Sequence, residues 1–400
     1  MKRNPERIAW AVLLASFAIF CLIVVGVPLG VRWYIRHAER EHKALVESLS
    51  GTIVVEPPVG RGPIPLSKGQ ETSISEGTVI RTDETSEAVL TLFDHSFMRI
   101  FPDTSVRLER TRSPRYKSGQ VPNTVHLYLL GGRIRVDTAL SSNTELVFWV
   151  KTLHAQTRLA ADGSYVLEAT NDRSELTVYR GKAEVSAAGK TVSLTARQRT
   201  EIAYGQPPKA PVSAARNLIV NGDFSKPLSE GWRVFNDQGT DGGTVDGEAT
   251  LVVDEGRRAV KFFRSGGNGN HCETILEQKI NQKIPDPATS LVVRAMVKVH
   301  YQSLAGGGYL SSEYPLMIRL TYRDVYDSEA EWVQGFYYQN VSGNPTTYGL
   351  QIPKDRWFLF ESKNLLETLS VRPYKIIKIR VYASGWDYES FVSDVSLIVE

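Results

Sequence analysis

Aromatic side chains are the residues in this sequence best suited to contact a ligand. A sugar ring stacks on an exposed, flat aromatic side chain with polar neighbours. The rings available in the second half of the chain are Trp232, Trp332, Trp357, Trp386 and Tyr348. Tryptophan is mainly buried in folded proteins, so core or rim packing is the alternative for each ring. The rings that we predict as ligand contacts are Trp232, Trp332, Trp386 and Tyr348.

Histidines, serines and carboxylates form no recognisable catalytic motif. The seven histidines are scattered without the His-Glu-x-x-His spacing of a zinc site. No Gly-x-Ser-x-Gly elbow occurs, and the glycine clusters at 266–270 and 306–308 lack the lysine and helix of a phosphate-binding loop. Asp237 and Asp241 resemble a glycosidase carboxylate pair, but acids in loops are ordinary. The sequence therefore favours a protein that is not an enzyme.

Length and composition suit a globular protein with two or three folded units. The chain has 400 residues, is 42% hydrophobic and carries a formal net charge of +3. That balance, without any nucleic-acid-binding motif, gives no reason to expect a nucleic-acid partner. Cys21 lies in an apolar run and Cys272 far from it, so no intrachain disulfide is expected.

Residues 8–31 predict a transmembrane helix. The run has no charged residue and would be about 35 Å long as a helix, enough to cross the hydrocarbon layer. Trp10 at one end, with Trp33 and Tyr34 at the other, suits the two interfacial belts. The alternative is a cleaved signal peptide, but no Ala-x-Ala-like site follows the run. We predict a retained anchor after a cytoplasmic tail at 1–7.

Flanking charges do not decide the orientation, because lysines and arginines lie on both sides of the span. The short basic tail, and the glutamates among the basic residues after the span, favour an inside N-terminus. The bulk of the chain is then extracytoplasmic, in the periplasm or at the cell surface. Residues 32–50 contain neither glycine nor proline. We therefore predict that the helix continues through them as a polar stalk.

Residues 51–204 predict an antiparallel β domain. Short runs of alternating apolar and polar residues are rich in β-branched and aromatic side chains. Gly-Gly, Asp-Gly and Arg-Gly-Lys between runs indicate hairpin turns. A sandwich, a roll and a solenoid-like stack all fit this pattern.

Three parts of this region resemble the FecR protein domain. They are Gly-Thr-Val-Ile-Arg-Thr from Gly77 with the runs that follow to Leu108, Leu-Leu-Gly-Gly-Arg-Ile-Arg-Val from Leu129, and the runs from Val150 to Arg199. The similarity covers about residues 60–205 and implies an extracytoplasmic β domain on a single-pass protein. In the founding members a cytoplasmic N-terminal region contacts a sigma factor. Seven residues cannot bury the usual interface of about 800 Å² per partner, so that role is not carried over.

A basic stretch lies within the FecR-like region, at residues 107–117. Such a segment can bind an anionic envelope polymer or lipid headgroups. The alternative is a solvated hairpin loop, as most charge runs are.

Residues 217–400 predict a second β domain, a jelly roll, after a proline-containing linker at 205–216. The opening Asn-Leu-Ile-Val-Asn-Gly-Asp-Phe from Asn217 and the closing Asp-Val-Ser-Leu from Asp394 resemble the galactose-binding-like jelly rolls of carbohydrate-binding modules. The resemblance implies this architecture but says little about the ligand, because sugar contacts in such folds come from loops and faces that vary. Some members hold a structural Ca²⁺ near the first and last strands, which makes Asp223 and Asp394 candidate ligands; no other cofactor is expected.

The sequence thus predicts a mainly β protein with an N-terminal transmembrane helix, an antiparallel FecR-like domain and a C-terminal β-sandwich jelly roll. The leading function is non-enzymatic binding of an envelope glycan or surface partner. The alternative is a signalling component that acts through a membrane-protein partner.

Overall fold

The computed structural model describes residues 5–58, 62–140, 144–241, 243–285 and 287–400. The chain divides into two compact units. Unit 1 comprises the chain up to Ala196 together with Thr200–Pro211, and unit 2 comprises Arg197–Arg199 and Val212–Glu400.

A continuous apolar helix begins the described chain. It consists of α1 (Pro5–Cys21), a π-helical turn (Leu22–Gly26) and α2 (Val27–His37). From Ala9 to Tyr34 every side chain is exposed. By length and composition, Ala9–His37 qualifies as a candidate membrane span, and a signal sequence would meet the same criteria.

The helical stalk expected at 32–50 is wrong beyond His37. The chain leaves the helix at Ala38, which has an extended ψ of 128°. A short strand, β1 (Glu39–Glu41), and a longer one, β2 (Ala44–Ser50), follow directly. Burial alternates along β2, and Ala44 and Val46 enter the core of unit 1. The stabilisation gained by burying alternate side chains of β2 outweighs the helix propensity of the segment.

The further strands of the first sheet system are β3 (Thr52–Glu56), β4 (Ile64–Ser67), β5 (Glu71–Ile74), β6 (Val79–Arg81), β7 (Glu87–Thr91), β8 (Phe97–Ile100), β9 (Ser105–Pro114), β10 (Asn123–Asp137), β11 (Leu146–Lys151), β12 (Gln156–Leu159), β13 (Ser164–Ala169), β14 (Arg173–Arg180), β15 (Lys182–Ala187), β16 (Lys190–Thr195), β17 (Gln198–Ala203) and β18 (Val212–Ser213).

Strand β10 connects the two halves of this system. Its first half pairs with β9 and, in parallel, with β11, whereas its second half pairs antiparallel with β8 and β13. The pairings from β1 to β18 form one closed arrangement. Alternate residues of these strands meet in a single apolar core that includes Ile53, Leu90, Val125 and Phe148.

Two of the expected hairpins join strands that do not pair with each other. Arg180-Gly-Lys connects β14 to β15 and Asp162-Gly connects β12 to β13, yet β12 pairs with β15 and β13 with β14. Gly131-Gly132 is no turn at all, because it lies inside β10 where the strand changes partners. Two of the three predicted turns therefore lie where the sequence indicates, but the core decides which strands pair.

The strands of unit 2 are β19 (Arg216–Asn217), β20 (Arg233–Asp237), β21 (Glu248–Asp254), β22 (Arg257–Arg264), β23 (Cys272–Lys283), β24 (Leu291–Gln302), β25 (Leu316–Asp324), β26 (Glu329–Tyr337), β27 (Gly349–Gln351), β28 (Phe358–Glu361), β29 (Pro373–Gly385) and β30 (Tyr388–Val399), with a short helix, α3 (Leu365–Thr368).

Unit 2 is a β-sandwich, as the sequence predicts. One sheet has the order β21-β22-β30-β24-β28, with β19 on β30, and the other has the order β20-β23-β29-β25-β26-β27. Leu276, Leu320 and Val381 of the second sheet share a buried core with Val297 and Val392 of the first. Short pairings at β18 and β19 occupy part of the expected linker at 205–216.

Candidate functional site

Two of the predicted ligand-binding tryptophans pack against the core of unit 2. Trp232 is 4% exposed, its indole N–H donates to the Asn221 carbonyl, and its ring packs 6.0 Å from that of Phe224. Trp332 is half-buried and stacks on Phe360 at 6.4 Å. Both rings pack against the apolar core of the sandwich, and ligand contact by Trp232 and Trp332 stays an untested prediction.

Tyr348 and Trp386 are exposed on loops of unit 2. Tyr348 is 51% exposed beside the start of β27, and Trp386 is 40% exposed after the end of β29. Trp357, the fifth ring, is buried, and its indole N–H donates to Asp254 at 2.9 Å. Ligand contact by Tyr348 and Trp386 therefore stays a prediction.

The candidate calcium ligands have other partners. The Asp394 carboxylate accepts a hydrogen bond from Arg257 Nη1 at 3.1 Å, and both side chains are buried. Asp223 accepts from the amide and the hydroxyl of Ser225. Within the described ranges, no group of three or more His, Cys, Asp or Glu residues is placed to hold a metal. Asp394 already neutralises a buried guanidinium, which calcium would have to displace; calcium binding by Asp223 and Asp394 stays a prediction.

Charged side chains gather instead on the outer side of the second sheet of unit 2. Arg319 of β25 lies opposite Arg380 of β29, which in turn lies opposite Glu277 of β23. The neighbouring residues Leu276 and Leu320 point into the core, so the charged residues point away from it. We call this surface the polar face; its residues are Glu273, Glu277, Arg319, Glu331, Arg380 and Tyr382.

One group of contacts on the polar face surrounds Arg319. Its Nη2 donates to the Tyr382 hydroxyl at 2.8 Å, and its guanidinium lies 5.1 Å from the centroid of the same ring. Its Nε lies 3.7 Å from the Glu331 carboxylate. Burial raises the pKa of Tyr382 to about 12, so its hydroxyl stays protonated at neutral pH. Arg319 therefore has a fixed position and still borders solvent.

A second group surrounds Glu277. This carboxylate accepts from Arg380 Nε at 2.7 Å and lies 3.5 Å from Lys378 Nζ. Burial alone would raise the pKa of Glu277, but the hydrogen bond and charge of Arg380, with Lys378, outweigh it and lower the pKa. Glu277 is therefore an ionised carboxylate that orients the Arg380 guanidinium.

Glu273, on the same strand, has the opposite environment. Burial raises its pKa, and the positive charges of Arg319 and His271 offset this only in part. His271 forms a 2.6 Å hydrogen bond with Glu313, which raises the pKa of the imidazole, and its amide donates to Asp241 at 3.0 Å. Glu273 is thus a carboxylate on this face without a close basic partner to saturate it.

A loop closes one end of the polar face around Tyr314, which is fully buried. A Cβ at Gly335, Gly349 or Gly307 would lie 2.2–2.6 Å from the tyrosine ring, so only glycine permits this approach. The Tyr314 hydroxyl pairs with Ser311 Oγ at 2.6 Å, and Ser311 lies within hydrogen-bonding distance of the Tyr348 amide. These contacts place exposed Tyr348 at the rim of the polar face.

The polar face offers donors and acceptors side by side on a rigid sheet. The half-buried Arg319 and Arg380 guanidinium groups can donate, and the half-buried Glu273 carboxylate can accept. Glu277 and Tyr382 are buried and hold the two guanidinium groups in place. A ligand rich in hydroxyl groups matches this alternation, because each hydroxyl can donate to a carboxylate and accept from a guanidinium.

Unit 1 contains an open cleft of about 730 Å³ lined by residues that include Arg81, Asp103, Leu130 and Asn171. Arg81 is ion-paired with Glu56 at 3.0 Å. The charged residues that line the cleft do not pair with one another across neighbouring strands, as those of the polar face do. We therefore regard the polar face as the better candidate for a binding site.

Sequence reasoning missed the residues of the polar face because it searched for aromatic rings. A local signal was present in β29, where Lys378, Arg380 and Tyr382 alternate with apolar residues and so indicate one polar side. The signal in β23 is weaker, because Ile275 lies between Glu273 and Glu277 on the same side of the strand. Alternation does not show that β29 lies between β23 and β25.

The fold and the site define a two-unit β protein with an apolar N-terminal helix and a sandwich whose outer face is charged. Residues 78–184 match the family model described as FecR protein, so unit 1 contains a FecR domain, as the resemblance predicted. No curated protein sequence matches the chain.

Several solved structures are similar to parts of the chain. A putative anti-sigma factor from Parabacteroides distasonis is 15% identical with a TM-score of 0.28, and the match covers 34% of this chain and 59% of that one. The family 11 carbohydrate-binding module of a cellulosomal cellulase from Clostridium thermocellum is 12% identical with a TM-score of 0.27, covering 47% of this chain and 97% of the module.

The enzymatically active domain of bacteriophage CBA120 tailspike protein 4 is 8% identical with a TM-score of 0.29, covering 46% of this chain and 21% of that one. TM-scores this low carry no inference about function. The matches include a binding module as well as an enzymatic domain, so they do not decide between these classes.

Proposed function

We propose that this chain is a non-enzymatic, single-pass membrane protein whose unit 2 binds a glycan of the cell envelope through the polar face. The N-terminus is inside, and both units are extracytoplasmic. The observation that carries the proposal is the row formed by Arg319, Arg380 and Glu277, held by hydrogen bonds on the outer side of a sheet. Such fixed donors and acceptors reduce the entropy lost when a ligand is bound.

Retention of the helix is supported by the lack of an Ala-x-Ala-like cleavage site after the apolar run. The last turn of the helix contacts the rest of unit 1: the ring of Tyr34 meets that of Tyr116 edge to face at 6.3 Å, and the Arg36 and Ala38 carbonyls accept backbone hydrogen bonds from Gln120 and Arg115. These residues all follow Val31, so the contacts would be present with or without the apolar run.

The test uses the full chain in nanodiscs on a glycan array, followed by titration of the best glycan by calorimetry. Arg319→Ala is expected to weaken binding about 10- to 100-fold, the range for a hydrogen bond to a charged group. Tyr348→Ala is expected to weaken binding to a smaller extent, because the ring lies at the rim. The matched control is Lys363→Ala, which removes an exposed cation elsewhere on unit 2.

Two results would contradict the proposal. One is an array without a bound glycan, and the other is a glycan bound equally well by Arg319→Ala protein that has the wild-type circular dichroism spectrum. Release of reducing sugar from the bound glycan would contradict the non-enzymatic part alone.

The second candidate function is signalling through a membrane partner. Gly26 and Gly30 lie one turn apart on the helix, and nothing in the structure lies within 4 Å of a Cβ built at either. Small residues at this spacing allow another helix to approach closely. Co-purification of a membrane protein that survives deletion of both units, but not Gly26→Leu, would favour this candidate.

A further inference from the structure

The turn between β9 and β10 lies against the end of the apolar helix. We call residues 115–120 the juxtahelical loop. Its Arg115 amide donates to the Ala38 carbonyl and its Gln120 amide to the Arg36 carbonyl, each at 2.9 Å. Its Tyr116 ring meets Tyr34 edge to face at 6.3 Å. The loop is therefore fixed at the height of the last turn of the helix.

That height corresponds to the headgroup layer if the helix is a membrane anchor, which is part of the function proposed above. The uncharged run ends at Val31. Tyr34 lies about 5 Å and Ala38 about 10 Å further along the axis. The headgroup layer begins at the edge of the hydrocarbon and is roughly 5–8 Å thick. The juxtahelical loop thus lies within or just above it.

Basic residues near the loop divide into two classes. Arg110 and Arg112 of β9 are ion-paired with Glu39 at 2.5 and 3.4 Å, and Arg112 also with Glu76 at 2.8 Å. Their charges are therefore compensated within unit 1. Arg110 and Arg112 are therefore not expected to take part in the anion binding that the basic stretch at 107–117 suggested.

The second class keeps its charge available to solvent. Arg115 and Lys117 of the loop and Arg40 beside β1 are exposed, and Arg36 is half-buried. No carboxylate in the described part of the chain forms an ion pair with these four residues. All four belong to the loop or to the segment that it contacts, so their charges lie on one side of the membrane at a common height.

We propose that the juxtahelical loop, with Arg36 and Arg40, binds the phosphate groups of anionic lipids in the leaflet next to unit 1. Guanidinium and ammonium groups at this height can donate to lipid phosphates, while Tyr116 lies at the interface, where tyrosine is favoured. The fixed backbone contacts then hold unit 1 close against the membrane surface.

The experiment measures hydrogen–deuterium exchange of residues 113–122 in the full chain. Nanodiscs of phosphatidylcholine alone are compared with nanodiscs that also contain phosphatidylglycerol. We expect exchange in the loop to slow about fivefold with phosphatidylglycerol, the factor equivalent to ~1 kcal/mol for a basic residue at an anionic surface. Arg115→Gln with Lys117→Gln should abolish the difference.

The matched control is Lys68→Gln with Lys190→Gln, which removes the same charge from exposed positions in other turns and strands of unit 1. This variant should keep the wild-type response. An equal exchange rate in both kinds of disc would overturn the proposal, as would a slowing that persists in Arg115→Gln/Lys117→Gln. Protection by a soluble acidic polysaccharide, but not by phosphatidylglycerol, would assign the loop to a polymer instead.

A separate experiment distinguishes loss of membrane anchoring from loss of lipid binding by the loop. Wild-type chain that leaves vesicles in a sodium carbonate wash would contradict membrane anchoring. Wild-type chain that stays with the vesicles but shows no response to phosphatidylglycerol would contradict only the lipid-binding proposal.

Discussion

Single side chains on the polar face differ in how they respond to protonation. Glu277 and Glu273 both belong to β23 and lie on the same side of it. Arg380 and Lys378 lower the pKa of Glu277, whereas burial raises the pKa of Glu273. The ionised form of Glu277 is therefore stabilised by its neighbours, whereas burial opposes the ionised form of Glu273.

Substituting these two glutamates should change stability in opposite directions. A raised pKa in the folded state means that wild-type unit 2 loses stability as the pH rises through the pKa of Glu273. Glu273→Gln should therefore increase the free energy of unfolding at pH 7, and the gain should vanish as the pH falls through that pKa. Urea denaturation of unit 2 as a function of pH measures both effects.

Glu277→Gln is the matched control for this prediction. Its lowered pKa contributes stability that is present at neutral pH and is lost as the pH falls through that pKa. Glu277→Gln should thus destabilise unit 2 at pH 7, and less so in acid. The same sign for both variants at pH 7 would refute the assignment of the two environments.

At the scale of elements, the long strand β10 organises unit 1. It passes from the partners β9 and β11 to the partners β8 and β13 at Gly131 and Gly132. Gly132 has a φ of +93°, and a Cβ at this position would lie 2.4 Å from Thr104 Oγ1. The change of partner therefore depends on a residue without a side chain.

Gly132→Ala should destabilise unit 1 by about 2–4 kcal/mol, because backbone strain and steric overlap add. Calorimetry of the full chain, which separates the transition of unit 1 from that of unit 2, measures the loss. Gly131→Ala is the neighbouring control: its nearest contact would be 3.9 Å, an ordinary distance. A loss below about 1 kcal/mol is expected there. Equal losses at the two positions would exclude the steric explanation.

At the scale of the whole molecule, the chain consists of two units with separate apolar cores. Each core is closed by strands of its own sheets. Binding of a glycan to unit 2 should therefore stabilise that unit selectively.

Calorimetry of the full chain should show two unfolding transitions. Trp232→Ala should lower only the transition of unit 2, by removing a buried ring worth about 3–5 kcal/mol. Gly132→Ala should lower only the transition temperature of unit 1. A bound glycan should raise only the transition temperature of unit 2. One transition that shifts as a whole in every variant would contradict independent units.

The sequence alone determined the features that depend on local chemistry. A run without charge from Ile8 to Val31 predicts a helix long enough to cross a membrane, and period-two alternation predicts strands. The FecR resemblance and the sandwich of unit 2 followed from the order of such strands. The end of the helix at His37 did not follow from the sequence. Ala44 and Val46 belong to the core of unit 1 only in the folded structure, and this burial is what makes their segment a strand.

Tertiary structure alone decided which residues meet. Trp232 and Trp386 have the same chemistry and both lie in loops, yet Trp232 packs against Phe224 in the core and Trp386 is 40% exposed, because burial depends on how each loop folds back on the sandwich. Likewise, Arg319 and Glu277 are far apart in the chain and share a face only through β29, which lies between their strands. Strand order is a property of the packed sheet, and pairwise alternation carries no information about it.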